Sequence, residues 1–162
     1  MTVTIPTANA RVVPAGQGLV VRTTHPALPD VEVKFDAAAG AGFSMIEYDV
    51  PARFAPPPNL HRHTREGAVI YVLAGTLHYW FEHDDATAAA GTAVVLPAGA
   101  WFRWANETDA PARILAMFSP AGFEQYFVEL FATIETEGGG DAALARHIGP
   151  LRAKYGDQPY PA

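Results

Sequence analysis

The chain has 162 residues, 49% of them hydrophobic and only 17% charged, with a net charge of −6 and no cysteine. That suits one domain with a sizeable core and excludes disulfides and thiolate chemistry. The acidic balance, with its Arg residues scattered, argues against nucleic acid, whose phosphates require clustered Lys and Arg.

The start, MTVTIPTANARVV, lacks a basic segment followed by an apolar run and does not read as a signal peptide. No apolar stretch approaches the ~20 residues a membrane helix needs. The expectation is a soluble, cytoplasmic protein with no membrane partner. Short strands then follow, marked by alternation and β-branched residues: GLVVRTT (18–24), VEVKFDA (31–37) and GFSMIEYDVP (42–51). After them come HRH, AVIYVLAG, TLHYWFEHD, GTAVVLPAG, WFRWANE and ARILAMFSP. Fourteen Gly and fourteen Pro supply the corners between them. Many short strands at such spacing predict an all-β barrel or sandwich. DDATAAAGTA reads as a loop.

After Ser119 the period changes. Ser119 can cap a helix and Pro120 suits its first turn. Phe123, Phe127, Leu130, Phe131 and Ile134 then form one helical stripe, which is expected to pack inside the molecule. GGG (138–140) breaks it, and DAALARHIGP predicts a short second helix capped by Asp141 and stopped by Gly149–Pro150. The tail YGDQPYPA is expected to be extended. The predicted organisation is a β-barrel over 1–119, with 120–162 as a helical cover and tail of the same domain.

His61 and His63 stand one residue apart in a strand signal, so both point to one face. This segment and the one thirty residues later resemble the two motifs of the cupin superfamily. The first runs HxH, four residues, Glu, six residues, Gly, and here His61, His63 and Gly75 match. The second runs Gly, five residues, PxG, two residues, His, three residues, Asn, and here Gly91, Pro97, Gly99 and Asn106 match. The resemblance covers roughly residues 12 to 135 and is to single-domain, quercetin-dioxygenase-like cupins. It implies an all-β, single cupin (jelly-roll) barrel with a C-terminal helical segment, a site inside the barrel, and a homodimer.

The departures from the pattern fall on the metal ligands. The Glu position is Ala68 and the second-motif His position is Phe102. Two of the four expected ligands remain, whereas a divalent metal prefers three or four protein donors. Glu66 lies three residues after His63 and reads as a rim residue. His78 reads as a surface or supporting group, His83 as solvent-exposed, and His25 and His147 have no supporting context. Strand parity predicts a substrate pocket lined by Ala68, Ile70, Phe102, Trp104, Met45 or its neighbour Ile46, and Met117 or Ala116. Phe102 and Trp104 filling the barrel solidly is the alternative.

An apolar, aromatic pocket with two imidazoles suits a hydrophobic small-molecule substrate. Imidazoles exchange protons near neutrality, with a reference pKa of about 6.5. The first functional reading is therefore an enzyme with no cofactor, in which His61 and His63 are catalytic acid/base groups. It would cyclise, dehydrate or isomerise an apolar metabolite, polyketide-like ones included, as the resemblance implies for natural-product cupins. The second is a metal-dependent, dioxygenase-like cupin in which His61 and His63 hold Fe, Mn, Ni or Zn with an unrecognised third ligand. The third is a non-catalytic small-ligand-binding barrel.

Overall fold

The computed structural model describes residues 10–56 and 60–161. The readings that touch residues 1–9, 57–59 and 162, the leader and the approach to the HxH strand among them, lie outside it. Among the described residues, eleven strands form two antiparallel sheets. They are β1 Leu19–Val21, β2 Val31–Phe35, β3 Ser44–Val50, β4 His61–His63, β5 Gly67–Ala74, β6 Thr76–Phe81, β7 Asp85–Ala89, β8 Ala93–Leu96, β9 Phe102–Ala105, β10 Ala112–Ser119 and β11 Asp157–Pro159. One sheet has the order β1-β2-β3-β10-β5-β8, the other β11-β4-β9-β6-β7. They pack face to face as a jelly roll and are not closed by hydrogen bonds into a single cylinder.

Alternation places the core. In β10, Ala112, Ile114, Ala116 and Phe118 are buried between the sheets, while Arg113 and Ser119 face out. In β5 the buried residues are Ala68, Ile70 and Val72, and in β3 they include Ile46 and Val50. The pairs Ala116↔Ile46 and Ala116↔Ile70 put these side chains in one row. Gly75 turns β5 into β6 at φ 76°, and a Cβ there would lie 2.7 Å from the Ala112 Cα. Asn106 is a structural residue: its Nδ2 donates to the carbonyls of Pro51 and Ala110, and its Oδ1 accepts from Thr108 N and Oγ1.

Three local expectations are corrected. DDATAAAGTA is not all loop, because Asp85–Ala89 forms β7 by pairing with β6. The first helix, α1 (Glu124–Thr136), starts after Phe123 rather than at Ser119, and Ser119 ends β10 instead. The second, α2 (Asp141–Lys154), does not stop at Gly149–Pro150 but runs through Pro150. A mid-helix Pro removes one hydrogen bond and strains the preceding turn. Burial of Leu151 and Arg152 one and two residues later holds α2 together.

The helices close one end of the sandwich. Glu135 of α1 accepts hydrogen bonds from Thr24 N and Thr23 Oγ1, tying its C-terminal end to the segment before β2. Lys154 and the Tyr155 hydroxyl both donate to Glu129, locking α2 to α1. Gly156, at φ 79°, turns the chain at once into β11, where a Cβ would lie 2.8 Å from Thr64 Oγ1. Among the described residues, no helix is long and apolar enough to cross a membrane.

Candidate functional site

The HxH pair lies on β4, between β9 and β11, and both imidazoles are buried. His61 is paired with Phe102 of β9, and their rings are 4.3 Å apart. His63 lies 4.2 Å from the ring of Phe123, the residue that leads into α1, and 5.5 Å from Phe102. The two imidazoles are 5.7 Å apart.

Glu66 is not a rim residue. It is only 4% exposed, and its Oε1 lies 2.9 Å from His63 Nδ1. The atoms close to an ion-pair distance without forming an aligned hydrogen bond. The reason is local: β4 ends at His63, and the bend Thr64–Glu66 before β5 folds Glu66 back, where a continuous strand would have carried it outward.

The two imidazoles open onto an apolar cavity of about 120 Å³. Cavities of about 150 Å³ hold a benzene ring, so this volume suits a single-ring ligand. Of the residues expected there, Ala68, Ile70, Phe102, Trp104, His61 and His63 all line it. Met45 and Met117 do not line it; Ile46 and Ala116 do. Ile46 and Ala116 are a direct cross-strand pair, and so are Met45 and Met117. One residue of parity sends the methionine row to the outer face.

Other lining residues carry no strong sequence signal. Tyr48, Phe54, Tyr126 and Phe127 form much of the wall, with Trp104 packed between Tyr48 and Phe54. Burial pushes the Tyr48 and Tyr126 hydroxyls well above the usual tyrosine range. They therefore stay protonated near neutral pH.

The most consequential residue missed by sequence reasoning is Asp157. It is buried, lines the cavity, and sits on β11 directly opposite His63. Its carboxylate accepts from Arg152 Nε at 2.6 Å and from a terminal Arg152 nitrogen at 2.5 Å, both side chains being buried. Possible donor atoms of His61, His63 and Asp157 all lie within 4.8 Å of one another. Nothing in YGDQP distinguishes this Asp from a solvated tail residue; only the pairing of β11 with β4 brings it inside.

The remaining histidines lie elsewhere. His78 faces outward between Glu107 and Asp85, at 2.8 and 2.7 Å, and stacks on Trp80. His83 is exposed, and His147 contacts Glu137. His25 is buried at 2% exposure with its Nε2 2.9 Å from Asp141, a context its sequence neighbours did not reveal.

The fold is thus a two-sheet jelly roll with an HxH strand facing an internal cavity. The family model described as "Cupin domain" matches residues 50–118, which span β4 to β9 and nearly all of β10. Solved structures share the fold. KdgF from Halomonas sp. superposes with a TM-score of 0.60 at 13% identity, covering 72% of this chain and 99% of that one. The cupin domain of Schizosaccharomyces pombe Cnp3 gives 0.51 at 12% identity, covering 60% and 64%. A sugar phosphate isomerase of the cupin superfamily from Silicibacter pomeroyi gives 0.49 at 20% identity, covering 56% and 59%. The chain thus spans less than two thirds of the length of the last two. No curated protein sequence matches it.

Proposed function

We propose that this cupin is a small-molecule enzyme that moves a proton on an apolar, ring-sized substrate, driving its isomerisation, dehydration or cyclisation. The observation that carries the reading is His63, backed at 2.9 Å by buried Glu66 and opening onto an apolar cavity. An imidazole lining the cavity with a buried carboxylate beside it supports general acid–base catalysis. His61 supplies the second imidazole, so one ring takes a proton while the other returns it. Phe102, Phe123 and Trp104 hold the ring and exclude water. Tyr48 and Tyr126 supply hydroxyl donors for a polar atom of the substrate.

The test follows exchange of substrate C–H for deuterium in heavy water, using a set of single-ring ketones, enols and alcohols first shown to bind by NMR. The wild type is expected to exchange a bound ligand's acidic C–H, and His63→Ala is expected to lose this by about 100-fold or more. Exchange that persists in the His61→Ala/His63→Ala double variant would sink the reading. A non-catalytic barrel would bind ligand and exchange nothing.

A second reading, metal-dependent chemistry, is favoured by one observation: Asp157 converges with His61 and His63. Two imidazoles and a carboxylate fit a divalent transition metal. Such an ion, when bound, would polarise a substrate oxygen as a Lewis acid. The chain's own residues would still exclude water and orient the ring.

A further inference from the structure

We propose that Asp157, carried by the C-terminal strand β11, is the third ligand of a divalent-metal site completed by His61 and His63. This rests on the second reading above and names the ligand that the cupin motifs leave unfilled. Where the motif expects Glu, this chain has Ala68, and where it expects His, it has Phe102. The negative charge absent at Ala68 returns from a different strand.

The register delivers it. β11 runs antiparallel to β4, with Asp157 opposite His63 and Pro159 opposite His61. Directly opposed residues share a sheet face, so the carboxylate joins the two imidazoles on the inner side. All three are buried, and their donor atoms lie within 4.8 Å of one another. Donors about 2.1 Å from a common ion stand roughly 3 to 3.5 Å apart, a contraction within reach of side-chain rotation.

The surroundings match a metal site. His63 Nδ1 faces Glu66, which leaves Nε2 as the donor toward the cavity. A carboxylate behind a ligating imidazole fixes its orientation and strengthens it as a ligand. Asp157 is held by the planar fork of Arg152. A carboxylate offers about four lone-pair sites, and the guanidinium takes two of them. The chain also commits backbone to this placement: α2 continues through Pro150 to reach Arg152, and Gly156 makes a turn that a Cβ would obstruct.

The test titrates full-length, untagged, EDTA-stripped protein with Co(II), followed by calorimetry, visible d–d absorption and the metal-induced shift in melting temperature. The wild type is expected to bind one Co(II) per chain, and His61→Ala/His63→Ala none. Asp157→Asn keeps the shape beside Arg152. It is expected to weaken Co(II) by about 10- to 100-fold or more and to alter the d–d spectrum. The Arg152→Met/Asp157→Leu double variant, which removes the buried charges together, is expected to stay folded and to lose the site likewise. If both Asp157 variants bind Co(II) as the wild type does with an unchanged spectrum, Asp157 is not a ligand, though the metal reading stands. If the wild type binds no Co(II), or binds it equally after loss of both histidines, the metal reading falls and this proposal falls with it.

Discussion

Replacing Arg152 alone should damage the fold far more than its place near the C-terminus suggests. Its guanidinium makes two charge-assisted hydrogen bonds to Asp157, at 2.6 and 2.5 Å, and both side chains are under a tenth exposed. Arg152→Met leaves a buried carboxylate with no cation, a change that costs about 3 to 5 kcal/mol. For a domain of this size each kcal/mol moves the melting temperature by roughly 2 to 4 °C, so the expected fall is about 6 to 20 °C. Arg152→Met/Asp157→Leu removes both charges and should recover most of the loss, because a buried ion pair is often matched by well-packed apolar groups. Urea unfolding of EDTA-treated wild type, both single variants and the double variant closes the cycle. A loss below about 1 kcal/mol in Arg152→Met, the value of an exposed pair, would refute the claim that the Arg152–Asp157 pair is buried.

Pro150→Ala should stabilise the protein by about 1 to 3 kcal/mol, seen as a higher urea midpoint, because it restores a helical hydrogen bond in α2. Hydrogen bonds to Glu107 and Asp85 raise the His78 pKa, so its contribution is fully present below about pH 6.5 and fades as pH rises through the higher folded value. The stability gap between wild type and His78→Gln, measured by urea unfolding across pH, should therefore be largest on the acidic side; a gap that grows with pH would contradict this. Ala68→Leu places a larger side chain in the cavity and should abolish NMR-detected binding of single-ring ligands while leaving the circular dichroism unchanged. A homodimer is expected in solution, and a monomer mass by light scattering would overturn that.

Much of this architecture is local and so was legible in the sequence. The place of Ala68 in the first motif sets which residues of β5 face inward, because side chains on a strand change face at every residue. Gly75 marks a turn that no side chain tolerates. The HxH pair, and the apolar Ala68 and Phe102 where donors were expected, could be read from spacing alone. Parity in β3 and at the end of β10 could not be settled that way. Met45 and Ile46 are both apolar, as are Met117 and Ala116, and only the sheet register decides between them.

What the tertiary structure alone decided is the electrostatics of the site. Glu66 turns inward because the chain bends after β4, and nothing in HTREG (63–67) fixes the direction of that bend. Asp157 reaches His63 across a sequence gap that no motif spans, through strand pairing and the Arg152 fork. Hydrophobic periodicity is written residue by residue, so the sequence determined the all-β character and most of the strands. The convergence of charged groups from distant segments depends on how the strands are ordered, so which carboxylates stand beside the two imidazoles was settled only in the folded chain.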